Sequence, residues 1–472
     1  MKKTMLAALA VILFATVNSA SAISEIPAVQ PEQPETAVIS KKKFWQRKVK
    51  IETEDNVLLA ADLRGGVETT PEDTIELQVT EEAEPKTPLQ GWLEGDYMSG
   101  DWGGWRTKLE DHGVTFEAMM LSDTFMKLHG GTQKSRYPVR NFGLIDAAIH
   151  LDTEKLGLWK NGEFVLRYQF LRGTGLNRHL GAYQYVDAFD VDHMNQLAEY
   201  WYEQGFFDNK IQIKVGKQDA CYDFLALDLA TNFVNNSHAY FMPNVPLPAY
   251  PDQALGLVLK INPTEWLSLR TGWYDGNARG SQTGFNTVFG GHNASFLIQE
   301  IGIRHNKWDM PGTILAGGWI HTGQVDSLSI DGEIKAQTMG AYIEAEQMVW
   351  KENKDNAEDN QGLYALVQYS FAPSNRSEIS HYYGNTLMYK GLISGRDEDV
   401  AGVGVALAQF SDKLRNIVDD GRRGLETIVE AFYKFQLTPW FSIQPVAQYI
   451  FRPDGQSSAN SFVLGFRTVV TF

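Results

Sequence analysis

Residues 461–472 alternate with a period of two: Phe462, Leu464, Phe466, Thr468, Val470 and Phe472 fall on one side, Ser461, Gly465, Arg467 and Thr471 on the other. That period belongs to a strand with two unlike faces. It recurs upstream, where Leu425, Val429, Ala431, Tyr433, Phe435 and Leu437 oppose Glu426, Glu430, Lys434 and Gln436, and Phe441, Ile443 and Tyr449 oppose Ser442, Gln444 and Gln448. Two architectures accept the pattern. A soluble sandwich turns its apolar faces inward, whereas a transmembrane barrel turns them to lipid and its polar faces to the lumen. Alternation alone does not separate the two.

Three further features favour the barrel. Met1, Lys2 and Lys3 form a positive start, Met5 to Val17 an apolar core, and Ser19-Ala20-Ser21-Ala22 a small-residue cleavage site, so residues 1–22 read as a secretory signal cut after Ala22. Aromatics gather near strand ends, as interface girdles do. The chain closes on Phe472 in an amphipathic strand, a terminus similar to the sorting signal read by the machinery that assembles outer-membrane barrels. No later stretch of eighteen apolar residues offers a membrane helix. Transmembrane strands need only about 9–11 residues, half of them polar, so a mean hydropathy of −0.28 is no obstacle.

Sixteen strand candidates run from residues 114–125 to 461–472, including 195–206 and 385–392. Short turns at Asp208-Asn209, 262–264, 306–311 and Thr438-Pro439 alternate with long loops near 172–193, 219–253, 275–294 and 411–424. The fold expected is all-β: a closed antiparallel barrel of about sixteen strands over residues 91–472, wide enough for a water-filled channel, with both barrel ends at the periplasmic face. Residues 23–90 are acidic and proline-containing and read as a mostly disordered periplasmic extension. The basic run at 41–48 within them suits either a plain tether or an anchor to the cell wall or a partner.

Two segments carry more than periodicity. Ser99-Gly100-Asp101-Trp102-Gly103-Gly104-Trp105-Arg106 leads to Leu109, Gly113, Val114 and Phe116, and near the end stand Tyr433-Lys434-Phe435-Gln436-Leu437-Thr438-Pro439-Trp440, Pro453-Asp454-Gly455 and Leu464-Gly465-Phe466-Arg467. Together they resemble the carbohydrate-selective porins of Gram-negative outer membranes, the OprB family, over roughly residues 91–472. In physical terms the opening motif is a short helix before the first strand, with Asp101 as its cap, Gly103, Gly104 and Trp105 in its first turn and Gly113 at its end.

The resemblance implies passive diffusion of small neutral sugars such as glucose, with no cofactor, through a barrel that works as a monomer or weak oligomer among outer-membrane lipid and lipopolysaccharide. It further implies outer loops folded inward to a constriction. The candidates are Arg172 and Arg178, with Glu199, Trp201 and Glu203, which share one face because they lie two apart. A carboxylate–Trp–carboxylate row is costly against lipid and belongs in the lumen. Glu426, Glu430, Gln444 and Arg467 are expected on the lumen wall. A general small-solute porin is the competing reading.

Other chemistry finds little support. His179 and His193 lack the spacing of a zinc site, and Asp397, Glu398 and Asp399, expected in an outer loop, read as a solvated run rather than a calcium site. Ser380 and His381 are adjacent and point apart on any strand, so no catalytic pair forms. The net charge of −16 disfavours nucleic acid. It also predicts a channel that prefers cations, through a field screened within about 8 Å at physiological salt. A reversal potential measured across a bilayer under a KCl gradient is expected to be cation-selective; an anion-selective value contradicts this reading.

Overall fold

The computed structural model describes residues 87–472 apart from 133–136, 192, 240–241, 280–282, 289–293, 326–335, 357–358, 414–423 and 457–459. The expected signal, and the extension up to residue 86, lie outside the described residues.

Among the described residues, sixteen strands form one closed antiparallel sheet. They are β1 (Val114–His129), β2 (Val139–Asp152), β3 (Gly162–Gly173), β4 (Met194–Phe206), β5 (Ile211–Gln218), β6 (Ala254–Thr264), β7 (Leu267–Asp275) and β8 (Ser295–Lys307), then β9 (Met310–Val325), β10 (Ala336–Lys351), β11 (Gly362–Phe371), β12 (Ile379–Lys390), β13 (Val400–Phe410), β14 (Leu425–Thr438), β15 (Phe441–Phe451) and β16 (Ser461–Thr471). Each strand pairs with its neighbours in sequence, and β1 closes on β16 with Asp123 opposite Arg467. Closure leaves no unpaired edge, the condition for a sheet to cross lipid.

The period of two becomes inside and outside. On β15, Ser442, Gln444, Val446, Gln448 and Ile450 are buried within the barrel, while Phe441, Ile443, Tyr449 and Phe451 alternate with them on the outer face. Outward positions elsewhere carry exposed apolar side chains, among them Leu166, Val215, Ile301, Ile343, Leu464 and Phe466. An apolar surface this continuous is a liability in water and a requirement in lipid. Trp159, Phe207, Trp266 and Trp308 stand exposed in the turns at the end where both barrel termini lie, an aromatic belt at one membrane interface. One of the two two-residue turns among them has Trp308 and Asp309 at φ 59° and 55°, the positive-φ pair of a hairpin turn.

Two details differ from the sequence reading. Strand β12 begins at Ile379, not 385, because inward Ser380 and Tyr382 continue the alternation through a stretch whose polarity resembles a loop. The connection 391–399 joins β12 to β13 at the short-turn end, so Asp397, Glu398 and Asp399 are not in an outer loop. Asp399 is buried there; it pairs with Arg396 and accepts from Gln436 N at 2.9 Å and Tyr433 Oη at 2.9 Å.

The opening motif folds onto the seam of the barrel. Helix α1 (Pro88–Leu93) starts at a Thr87 capping box and packs Trp92 on Trp440 with ring centroids 4.7 Å apart. A 3-10 turn at Trp102–Gly104 precedes α2 (Trp105–Asp111). Gly103 and Gly104 adopt φ 68° and 90° and break the single expected helix in two. The Asp101 carboxylate still caps α2, accepting from Thr107 N at 2.9 Å. Arg106 is buried against the Tyr97 ring at 3.5 Å and donates to the main-chain oxygens of Phe116 at 2.6 Å and Phe472 at 3.0 Å. One guanidinium therefore ties the helix to β1 and to the residue that follows β16. Hydrogen bonds from a charged donor contribute about 1.5–3 kcal/mol each. Arg106→Ala is expected to lower the unfolding temperature of the barrel, read as heat-modifiable migration on a gel; an unchanged midpoint would show the clasp to be dispensable.

Candidate functional site

Inside the barrel, charged side chains form a continuous row from β1 to β8. Arg167 on β3 sits among Asp146 (2.5 Å), Glu199 (3.0 Å) and Glu117 (3.4 Å). His150 places its two ring nitrogens 2.8 Å from Glu163 and 3.4 Å from Glu117. Trp201 donates from Nε1 to Glu199 at 3.1 Å, and the Lys214 ammonium lies 4.4 Å from its ring centroid. Lys214 pairs with Asp223 at 2.9 Å, and Lys260 bridges Asp223 (2.7 Å) and Glu203 (2.8 Å). Arg270 and Glu300, 3.3 Å apart, close the row. Burial opposes the charge of Asp223, which belongs to the β5–β6 loop, but Lys214 and Lys260 outweigh it and hold this carboxyl below the usual carboxylate range.

A bulge in β4 aims this row. Arg167 pairs with Glu199 and Tyr168 with Leu197, so Ala198 has no partner of its own on β3. Before the bulge Met194, Gln196 and Ala198 face in; after it the parity changes, and Glu199, Trp201 and Glu203 face in while Tyr200 and Tyr202 face out. A bulge that re-aims side chains beside a site is a recurrent use of this irregularity.

The rest of the interior is occupied by two loops. The β3–β4 loop (residues 174–193), with α3 (Asn177–Leu180), buries Leu176, Leu180 and Val186 against Phe125, Ile428 and Val463. The β5–β6 loop (219–253), with α4 (Asn236–Ala239), buries Phe224, Leu225, Met242 and Val245 against Tyr274, Phe296, Trp319 and Tyr382. Wall side chains hold both by their main chain. Glu426 accepts from Tyr183 N at 2.9 Å and Gln184 N at 2.7 Å. Glu430 accepts from Val234 N at 2.9 Å and Asn235 N at 2.8 Å, and Glu300 from Leu225 N at 2.9 Å. In the opposite sense, Gln444 donates to Asn232 O and Gln448 to Val186 O, each at 2.7 Å. Arg467 joins Asp123 on β1 (2.7 Å) to Asp187 of the β3–β4 loop (3.2 Å).

The structure therefore brings Glu199, Trp201 and Glu203 together and separates them from both expected arginines. Arg172 faces outward and lies over the Phe170 ring at 4.8 Å; Glu163, Val165, Arg167, Gln169 and Leu171 are the inward set of β3, so position 172 falls on the lipid side. Arg178 is exposed on α3 at the mouth, its Nε 3.4 Å from His179 Nε2. Glu426, Glu430, Gln444 and Arg467 are on the inner wall, yet almost wholly covered by the loops they hold. Sequence reasoning missed Arg167, Lys214, Lys260, Asp223 and Tyr222. The two lysines were legible, since each interrupts an apolar alternation, Ile213-Lys214-Val215 and Leu259-Lys260-Ile261. Tyr222 was not; it is 57% exposed at the end of a 3-10 turn in the β5–β6 loop, with the Arg167 guanidinium 5.8 Å from its ring.

Residues 138–472 match the model of a family described as carbohydrate-selective porin, OprB family. Porin B of Pseudomonas aeruginosa is 24% identical over 442 residues, covering 83% of this chain and 93% of that protein. The putative porin QuiX of Acinetobacter baylyi is 23% identical over 403 residues, covering 76% and 89%. Among solved structures, Pseudomonas putida OprB at high pH superposes with a TM-score of 0.73 at 23% identity, over 80% of this chain and 99% of that one.

Because single wall carboxylates hold whole loops, removing one is expected to widen the passage. Glu430→Ala leaves Val234 N and Asn235 N without their acceptor, a loss of about 1.5–3 kcal/mol per bond. Single-channel conductance in a planar bilayer is expected to rise and to become noisier, and an unaltered trace would mean that Glu300, Gln444 and the apolar packing hold the β5–β6 loop without Glu430.

Proposed function

The chain belongs to the carbohydrate-selective porin, OprB family, and on that premise we propose that small neutral sugars, glucose among them, pass along the row from Arg167 through Glu199, Trp201 and Glu203 to Lys260. As a member it is an outer-membrane β-barrel of a Gram-negative cell, and family and fold are those of a channel rather than of an enzyme.

The observation that carries the reading is the setting of Trp201. Its indole, half-buried on the inner face, donates to the Glu199 carboxylate and has the Lys214 ammonium over its ring, with Glu203 and its partner Lys260 next along the same face. A sugar entering a narrow lumen loses water from its hydroxyls and needs donors and acceptors in return. Arg167 and Lys260 supply donors, while Glu203, Glu117 and Glu163 supply acceptors; Lys214, Glu199 and Asp146 are buried behind them and hold them in place. An aromatic ring supports the apolar face of a pyranose, which no hydroxyl contact does. Every charge in the row has an opposite neighbour within 3.4 Å, so the row offers donors and acceptors side by side at short range, as the hydroxyls of a neutral solute require.

Replacing Trp201 with Ala removes the ring and keeps the charges. An aromatic contact contributes about 0.5–1.5 kcal/mol, so the preference for glucose over a size-matched non-sugar is expected to fall about two- to tenfold in liposome swelling. Conductance of KCl is expected to stay equal or rise. An unchanged preference places selectivity elsewhere, and wild-type protein that shows no preference at all makes this a general porin.

A further inference from the structure

The β3–β4 loop contains a cavity of its own at the long-loop mouth of the barrel, away from the charged row. Its volume is about 550 Å³, inside the roughly 300–1,000 Å³ range of small-molecule pockets. Asn177, Arg178, Tyr185, Asp190 and His193 are its side chains of interest, around a floor of glycines. We propose that this cavity is a second carbohydrate subsite, an outer vestibule that takes up one neutral pyranose before it reaches Trp201. The proposal rests on the sugar-porin reading above and adds to it a place and a set of residues.

The cavity is built rather than incidental. Asp190 reaches under the loop and accepts from Asn177 N at 2.8 Å. It fits only because residue 175 is glycine: a Cβ there would stand 1.5 Å from Asp190 Oδ1. Asn177 is 92% buried by its 8% exposure, donates from Nδ2 to Ala182 O at 2.9 Å, and keeps an Oδ1 with no hydrogen-bond partner. A buried carboxamide is held in place by its contacts, and Asn177 is fixed by Asp190 on its main chain and Ala182 on its side chain, so this wall of the cavity is rigid. Tyr185 leaves 43% of its surface open, while its main-chain oxygen accepts from Asn235 Nδ2 at 2.6 Å and Asn236 N at 3.0 Å. The β5–β6 loop therefore fixes the backbone that carries the ring, and little ordering cost remains for a ligand that packs on it.

The residue types select the ligand class. A carboxylate accepts from two neighbouring hydroxyls, the exposed Arg178 guanidinium donates to ring or hydroxyl oxygens, and the Tyr185 ring supports an apolar face. Asp190 and Arg178 balance in charge, so a phosphate or an organic anion gains nothing from one that it does not lose to the other. A neutral polyol with an apolar face satisfies the whole set.

The test is the concentration dependence of glucose uptake into proteoliposomes holding the full chain, with each variant first shown to be a folded, heat-modifiable barrel. Tyr185→Ala and Arg178→Gln are each expected to raise the half-saturating glucose concentration about two- to tenfold. Tyr185→Phe, which keeps the ring, is expected to bring it back toward the wild-type value. Combined with Trp201→Ala, the Tyr185→Ala effect is expected to multiply, because the two rings act on the sugar at different points. If both single variants keep the wild-type half-saturation while the wild type prefers glucose, the vestibule is not a sugar site and the porin reading stands. If the wild type shows neither saturation nor preference for glucose, the sugar reading fails and the vestibule fails with it.

Discussion

Everything that happens inside this barrel depends on carboxylates of the wall accepting hydrogen bonds from the main chain of the loops. A closed sheet of sixteen strands encloses more space than its own inward side chains fill. Glu426, Glu430 and Glu300 narrow it by taking the N–H groups of Tyr183, Gln184, Val234, Asn235 and Leu225. Apolar packing alone would let the loops slide, because it has no direction. A charged acceptor that receives two successive amides fixes both position and orientation. Each carboxylate in turn is kept in a dry interior by those same amides, so neither partner is stable there without the other.

This division of labour leaves one side of the interior different from the other. From β13 to β1 the wall is covered by loop, and its charges are structural. From β2 to β6 the charges chiefly pair with each other: Arg167 with Asp146 and Glu199, Lys260 with Glu203 and Asp223. Arg167, Glu203 and Lys260 keep part of their surface in contact with the lumen, where a passing polar solute meets them, while Glu199, Lys214 and Asp223 are buried behind them. The bulge at Ala198 is the hinge of the arrangement, since regular alternation carried on through Ala198 would have turned Glu199, Trp201 and Glu203 to lipid. The price of the irregularity is one unpaired position in the ladder.

The seam is secured separately. Strand β1 must meet β16 across the whole length of the chain. At that meeting Phe472 N donates to Ala118 O at 2.8 Å, and Met98 N to Thr471 O at 2.8 Å. Arg106 adds a charged donor to the oxygens of Phe116 and Phe472. The GDWGG turn that precedes it is thus a fastening for the barrel, and its two left-handed glycines are what allow Arg106 to turn back onto the seam.

Much of the fold was legible in the chain before any coordinates. Period-two alternation marked sixteen strands; β12 was begun late, where inward Ser380 and Tyr382 share a polar stretch with a connection, β1 was ended short of His129, and the turn set at 262–264 lies inside β6. The grouping of Glu199, Trp201 and Glu203 on one face followed from spacing, as did the separation of Glu426, Glu430 and Gln444 from their aromatic neighbours. Whether a given face looks in or out depends on register, and a single bulged residue reverses it without any mark in the sequence; Arg172 was read as part of an outer loop, whereas β3 runs on to Gly173 and its regular alternation turns that side chain outward. What a wall charge is for depends on which loop folds back over it. Glu430 meets Asn235 across 195 residues, and no local pattern reports an encounter at that distance. By itself the sequence determined a closed barrel with lipid outside and polar groups within, because periodicity is a local property. Tertiary structure alone decided which of those polar groups hold loops and which remain for the solute, because that follows from contacts made only after the sheet has closed.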